Sequence, residues 1–261
     1  MLEIKDLTIQ YGDKPPVVEN FSLSLKKGEI VTIVGESGSG KSTVLSSILG
    51  LLPNGGKIIS GDIIYNGESM LSKSLNQWRE LRGTEITMIS QDSGGTLNPI
   101  RKIGKQFVEY IQTHSKMSVK EAEEKAEDMF SKVNLPDPEI IMKSYPHQLS
   151  GGMKQRVGIA MALTFHPKII LADEPTSALD VITQAQIVKE IMDLRKKFDT
   201  SIIMVTHNLG VAAYISDKII VMQNGKIVDA GNKNEVIENP KSEYTKKLLE
   251  AVPEIGGERL V

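Results

Sequence analysis

The stretch "GESGSGKST", Gly35 to Thr43, decides the fold. It sets three glycines, three serines and a lysine between two apolar runs, "EIVTIV" and "VLSSILGLL". The spacing G-x-x-x-x-G-K-[ST] is met at Gly35, Gly40, Lys41 and Ser42 and describes a phosphate cradle. Glu29 to Val34 alternates too little for a surface strand and reads as a buried one. Lys41 to Leu52 reads as a helix that starts straight after the loop. Glycines let successive backbone N–H groups turn inward with no Cβ in the way. The helix N-terminus adds its dipole at the same spot. Lys41 would reach the β- and γ-phosphates of a nucleotide and Ser42 would offer its hydroxyl to Mg²⁺, with Ser37, Gly38 and Thr43 completing the cradle. A flexible Gly/Ser turn is the plainer alternative, and the strand and helix on either side argue against it.

Bulk properties narrow the class. The 261 residues are 40% hydrophobic and 25% charged, enough for one large α/β core with a lobe attached. A net charge of −2 excludes a strong general attraction to nucleic acid. With no cysteine there is no disulfide framework and no Cys-based metal site. The opening "MLEIKDLTIQ" is not a signal peptide, and no apolar run approaches the roughly 18 residues of a membrane helix. Any work at a membrane would need another chain to do the spanning.

Outward from the cradle, Leu2 to Gln10 and Val17 to Leu25 read as antiparallel strands with a loop at Asp13 to Pro16. "GDIIYNGESM" is a strand with an Asn-Gly turn, and "TEITMIS" is a further strand ending at Gln91. From Asp92 to Gln148 the pattern turns helical. Ser118 to Glu121 fits a capping box, and Val119, Ala122, Ala126, Met129 and Phe130 mark an apolar face. The charged run "KEAEEKAED" reads as that helix's solvated face. "KIILA" and "SIIMV", with a helix at about Thr183 to Phe198 between them, form a βαβ unit and imply a parallel sheet. "DKIIVMQNGKIVDAG" reads as a hairpin about Asn224-Gly225. The expected organisation is one domain over 1–261, with the core at 1–91 and 160–261 and a helical subdomain at about 92–159.

Two further stretches carry chemistry. In "IILADEP" an apolar strand ends in Asp173 and Glu174, where ligands bind in open α/β sheets. One carboxylate can hold Mg²⁺ and the other can polarise an attacking water. In "LSGGMKQRV", Ser150 is a good N-cap, Gly151 and Gly152 allow close backbone approach, and a helix follows, giving a second anion-binding helix start. One chain with one nucleotide does not obviously need two.

With these motifs in this order the chain resembles the ATP-binding subunits of ABC transporters over nearly its whole length. The resemblance implies an ABC-type P-loop NTPase: a RecA-like core, an antiparallel β-subdomain and an inserted helical subdomain. Gly35 to Thr43 corresponds to Walker A, Gln91 to the Q-loop, Leu149 to Gln155 to the signature, and Ile169 to Glu174 to Walker B. "SALD", ending at Asp180, resembles the D-loop, and His207 in "VTHN" the switch histidine. It implies MgATP bound between two subunits, with Ser150, Gly151, Gly152 and Gln155 closing on the partner's γ-phosphate. Glu174 would be base or water-positioning group, His207 would hold the γ-phosphate, and Asp180 would keep the geometry between subunits. Gln91 would reach the metal or the water, so Ser42, Gln91 and Asp173 form the metal set. Tyr11, at a strand end, would stack on adenine. His114, His147 and His166 are left as structural or solvent-exposed.

"GGTLNPIRKIGKQ", "SYPHQLSGGMKQRV" and "NPKSEYTKKLLEAVP" resemble the dipeptide, oligopeptide and nickel importers. This implies a paralogous ATPase partner, two permease subunits and an extracytoplasmic substrate-binding protein, with the chain at the cytoplasmic face of the membrane. Many peptide-type members continue into a tail with a cysteine cluster, which is absent from this sequence. A shorter nickel- or metallophore-like member and a peptide-type member lacking its tail both remain open. An ABC ATPase outside transport usually carries two ATPase units or a long coiled coil, neither of which is present, although accessory ATPases of carbon–phosphorus lyase systems are similar in size. Intact Lys41, Glu174 and His207 argue against a non-catalytic nucleotide sensor.

Overall fold

The computed structural model describes residues 1–53, 55–177 and 179–252, and the backbone at 254–255 and 258–259. The chain opens with β1 (Leu2–Tyr11), β2 (Val18–Leu25), β3 (Ile30–Val34) and α1 (Lys41–Ile48). Next come β4 (Gly56–Tyr65), β5 (Glu68–Ser69), α2 (Leu75–Leu81) and β6 (Ile86–Ile89). A helical run follows: α3 (Ser93–Thr96), α4 (Ile103–His114), α5 (Val119–Lys132), α6 (Pro138–Lys143), a 3-10 turn at Pro146–Gln148 and α7 (Gly151–Leu163). Then come β7 (Ile169–Asp173), α8 (Val181–Phe198), β8 (Ser201–Thr206), α9 (Leu209–Ile215), β9 (Lys218–Gln223) and β10 (Lys226–Asn232). Last are α10 (Lys233–Glu238), α11 (Glu243–Glu250), and the two-residue strands β11 (Glu254–Ile255) and β12 (Glu258–Arg259).

The residues group into two compact units, Met1–Trp78 with Ser201–Val261, and Arg79–Thr200. This division falls at other positions than the expected 91/92 and 159/160, because β6, β7 and α8 group with the helical run.

In the first unit, β2, β1, β4 and β5 form an antiparallel sheet. β3 pairs in parallel with β8 and with β9, and β10 returns antiparallel on β9. Flanked on both sides, β3 is buried at all five residues, which is why "IVTIV" shows no alternation. The β9–β10 turn is the expected hairpin: Asn224 and Gly225 sit at φ 48° and 80°, the paired positive values of a type I′ turn. α1 stops at Ile48, short of the expected Leu52. Gly50, at φ 61°, ends the run, and the Trp78 ring lies so close that a Cβ there would stand 2.7 Å from it.

In the second unit β6 and β7 pair in parallel, and α4, α5, α6 and α7 pack into a helical cluster. Phe107 of α4 and Phe130 of α5 are fully buried, with ring centroids 5.2 Å apart. The capping box forms as expected: Ser118 Oγ accepts the Glu121 N–H, and Glu121 accepts the Ser118 N–H at 2.8 Å. Ala122, Ala126, Met129 and Phe130 make the buried face. Val119 does not belong to it: as the first helical residue it is 54% exposed and borders an open groove of about 510 Å³ with Arg101, Lys105 and Val108. Tyr110 donates to the Gly83 carbonyl, and burial pushes its phenol up to about 12.

Candidate functional site

The phosphate loop grows out of β3. A Cβ on Gly35 would stand 2.3 Å from the Met222 carbonyl oxygen, so only glycine lets the loop turn back over the end of β9. Gly38 and Gly40 take φ 82° and 99°, which L side chains rarely adopt. Gly40 is the N-cap of α1; no side chain caps the helix and its first turn holds no acidic residue. Within its own first turn the helix therefore offers no carboxylate to its positive end. Lys41 is 4% exposed, and its ammonium donates to the carbonyls of Gly35 and Glu36, both at 2.7 Å. Ser39 Oγ is buried without a hydrogen-bond partner among the described residues. A glycine-shaped turn, a helix that starts on a glycine with no side chain to cap it, a buried ammonium and an orphaned hydroxyl together fit a polyanionic phosphate chain. Ser37, Gly38 and Ser42 are exposed, while Thr43 is half-buried.

The strand register brings His207 to the same end of the sheet. Val34 pairs with Thr206, so Gly35 and His207 leave neighbouring strand ends together. His207 is exposed. The turn after it is held by Asn208, whose Oδ1 accepts the N–H groups of Gly210 and Val211 and caps α9. Sequence reasoning passed over Asn208; an Asn before "LGVAAYI" is the signal that could have found it. Tyr11 closes β1 opposite Gly56, and its ring covers that glycine so tightly that a Cβ there would come within 2.5 Å.

The second unit gathers the other candidates. Asp173 is the last residue of β7, and Glu174 follows at φ 42°, a left-handed conformation uncommon outside glycine and often stored at functional sites. The Glu174 carbonyl accepts from the N–H and the hydroxyl of Ser177, which pins the turn. Ile89 pairs with Ala172, so Gln91 and Glu174 each lie two residues beyond paired positions at one end of the strand pair. Gln91 is exposed, and the next residue, Asp92, caps α3 by accepting the Gly95 N–H at 2.9 Å.

Ser150 starts α7 as expected, its Oγ accepting the Met153 N–H. Ser150 and Gly151 are exposed, whereas Gly152 packs closely: a Cβ there would stand 2.9 Å from Thr183 Cγ2. Gln155 is placed differently, 4% exposed and with Nε2 unpartnered among the described residues, so its amide lies inside the unit. Asp180 caps α8, accepting the Thr183 N–H at 3.0 Å and the Thr183 hydroxyl at 2.7 Å. These two bonds hold its carboxyl below the usual range. They also start the helix at Val181, ahead of the expected Thr183. Within "SALD", Ala178 lies outside the described residues.

Among the described residues no group of three or more His, Cys, Asp or Glu is placed to hold a metal. The expected Mg²⁺ donors are instead a hydroxyl, an amide and one carboxylate, a set of hard oxygens that suits that ion. His114 and His166 behave as structural groups: burial lowers both pKa values, and their rings pack against Phe165 and Phe198. His147 stacks on Tyr145.

The ABC transporter family model matches residues 18–177. The chain belongs to the ABC transporter family. It is 44% identical over 257 residues to the oligopeptide transport ATP-binding protein OppD of Bacillus subtilis, covering 97% of this chain and 72% of that one. It is 42% identical over 252 residues to the metal-staphylopine import system ATP-binding protein CntD of Staphylococcus aureus, covering 95% and 92%. Among solved structures it resembles the dimeric, post-hydrolysis ATP-binding cassette MJ0796 bound to ADP and Pi, with a TM-score of 0.77 and 29% identity over 89% of this chain and 99% of that one. The fold is thus the ABC-type P-loop NTPase that the motif order implied, and this member of the family binds and hydrolyses ATP to drive a transporter. No helix among the described residues is long and apolar enough to cross a membrane.

Proposed function

We propose that this ABC subunit powers an importer of peptides or of metal chelates, working as a dimer with a paralogous ATPase beneath two permease subunits, on the cytoplasmic face of the membrane. An extracytoplasmic binding protein would deliver the cargo. The reading of cargo rests on its similarity to OppD and CntD, whose names carry oligopeptide and metal-staphylopine transport. The observation that carries the ATP-driven part is the buried Lys41 ammonium held on the turn of the glycine loop.

In this reading the N–H groups at the start of α1 and the Lys41 ammonium bind the phosphates, and Tyr11 stacks on adenine. Ser42, Gln91 and Asp173 would hold Mg²⁺, which when bound neutralises charge on the phosphate oxygens. Glu174 orients the attacking water and accepts its proton. His207 holds the γ-phosphate. Ser150, Gly151 and Gly152 present the start of α7 to the nucleotide of the partner subunit, with Gln155 supporting that helix from inside. Asp180 keeps the start of α8 in place at the subunit boundary. Gln91 and the capped turn after it transmit the state of the site to the permeases.

The test is Glu174→Gln in the reconstituted complex. It keeps the side chain's shape and removes the charge that activates water. ATP binding should persist while turnover falls by at least the roughly hundredfold typical of a lost general base. Uptake of labelled peptides and of metal chelates into the same vesicles identifies the cargo. Wild-type turnover by the variant would assign the base to another residue. Uptake of neither cargo class would remove the importer reading.

A further inference from the structure

The peptide group between Gly35 and Glu36 is gripped at both ends. Its carbonyl oxygen accepts from the Lys41 ammonium at 2.7 Å. Its N–H donates to the hydroxyl of Tyr244 at 2.9 Å. Tyr244 is 208 residues away in sequence, in the first turn of α11. From this geometry we infer that Tyr244 is a positioning residue for the phosphate loop, setting the orientation of the peptide plane on which the Lys41 ammonium rests.

The surroundings support a brace rather than a passing contact. Val34, the last residue of β3, lies in a buried cluster with Leu209 and Ala212 of α9, Val236 of α10, Leu249 of α11 and Val252. Tyr244 and Leu248 pack against the same cluster. The α11 region thus touches the two segments that precede the loop and follow His207. Burial raises the Tyr244 pKa, so the neutral phenol is the form that meets the amide. Gly35 cannot carry a side chain because of the Met222 carbonyl, so nothing at Gly35 itself can fix its peptide plane by packing. The plane is set by what its two polar ends bind. Hydrogen bonds at opposite ends of one peptide group also polarise each other, so losing one weakens the other.

The inference rests on the reading of Gly35 to Thr43 as the nucleotide cradle, and the experiment separates the two. Affinity for a fluorescent ATP analogue is measured on the full chain for the wild type, Tyr244→Phe, Lys41→Ala, the double variant and Leu248→Ala. Leu248→Ala loosens the same packing without touching the hydrogen bond. Tyr244→Phe keeps the ring and removes only the hydroxyl, so affinity should fall roughly two- to tenfold, the equivalent of one net hydrogen bond. That loss should exceed the loss in Leu248→Ala at equal or smaller loss of thermal stability, and should shrink in the Lys41→Ala background. Hydrogen exchange at the Glu36 amide, read without nucleotide, should speed up in Tyr244→Phe. If Lys41→Ala leaves affinity intact, the cradle reading itself falls. If Lys41→Ala weakens binding but Tyr244→Phe does not, or does so no more than Leu248→Ala, or if Glu36 exchange is unchanged, the positioning role falls alone.

Discussion

Ser93 packs directly against Gly158: a Cβ built on Gly158 would stand 2.5 Å from the Ser93 hydroxyl oxygen and 2.7 Å from its Cβ. Ser93 opens the turn after Gln91, and Gly158 lies in the helix that Ser150 starts. The glycine is thus the reason this turn can sit on that helix. Ser93 is 2% exposed and has nowhere to retreat. Gly158→Ala would gain up to about 1 kcal/mol of helix propensity. Overpacking costs about 1–3 kcal/mol and should win, leaving a net loss near 1 kcal/mol. Urea denaturation checks this, and Ser93→Gly in the same chain should restore most of the loss. A Gly158→Ala protein as stable as the wild type would show that the contact yields easily.

Arg156 and Glu190 tie α7 to α8 by a bidentate pair, with Nη2 to Oε1 at 2.8 Å and Nε to Oε2 at 3.0 Å. Both side chains are only 16% exposed. Removing one partner strands the other charge, so Arg156→Ala should destabilise the protein by about 3 kcal/mol, the low end for breaking a buried pair. Arg156→Lys keeps the charge but not the fork and should fall between. Replacing both residues with apolar ones, Arg156→Met with Glu190→Leu, should recover much of the loss. Equal denaturation midpoints for Arg156→Ala and wild type would mean the pair is already screened by water.

Asp180 gives a pH test. Its carboxyl is held below the usual range by the Thr183 N–H and hydroxyl. A depressed folded-state pKa contributes stability that is present above the unfolded value and lost as pH falls through the folded one. Asp180→Asn keeps an N-cap of comparable quality and cannot titrate. The stability advantage of wild type over Asp180→Asn should therefore shrink as pH drops below the ordinary carboxylate range. Denaturation midpoints of the two proteins at neutral and acid pH report it. Parallel loss in both would place the acid sensitivity elsewhere.

What was legible in the sequence follows from range. The strand and helix start on either side of the glycine loop, the Ser118 capping box and the Asn224-Gly225 turn are set by neighbours within a few residues, and each formed as read. The end of α1 was misread although its signal is local: Gly50 takes the left-handed position after the helix, with its N–H on the Ser47 carbonyl and the Leu51 N–H on that of Ser46. Val119 obeys the helical period but sits at the helix's open end, where no neighbour covers it. Asp180 and Asn208 were legible as caps, since each precedes a helical run; attention to their motifs hid the simpler role. Tyr244 carries no local signal for its bond to Glu36, because that contact exists only once α11 has packed on the cluster around Val34.

Lys41→Ala tests the cradle itself. The lysine makes two charge-assisted bonds to its own loop and would offer the same ammonium to phosphate. Such bonds contribute about 1.5–3 kcal/mol each. Affinity for ATP should fall roughly ten- to a hundredfold. Equilibrium binding of a fluorescent ATP analogue measures it, and unchanged affinity would rule out phosphate binding by this loop.

The role of Ser150 is decided by which nucleotide it faces. Its hydroxyl caps α7 while its side chain and Gly151 remain exposed, so the start of this helix is available to a ligand from outside the unit. The cassette MJ0796, which this chain resembles, is dimeric with ADP and Pi bound. If the same arrangement holds here, Ser150 serves a nucleotide whose glycine loop belongs to the partner. Ser150→Arg loses the cap, at about 1 kcal/mol, and fills the exposed helix start with a long side chain. In the isolated chain, ATP affinity should stay near normal, because Gly35 to Thr43 is untouched. In the complex with a wild-type partner, hydrolysis should fail only at the site built on the partner's glycine loop. Single-turnover hydrolysis, with one Walker B glutamate inactivated at a time, assigns activity to each site. If Ser150→Arg abolishes ATP binding by the isolated chain while its denaturation midpoint shows it folded, the signature acts on its own nucleotide and the two-subunit sandwich is wrong for this protein.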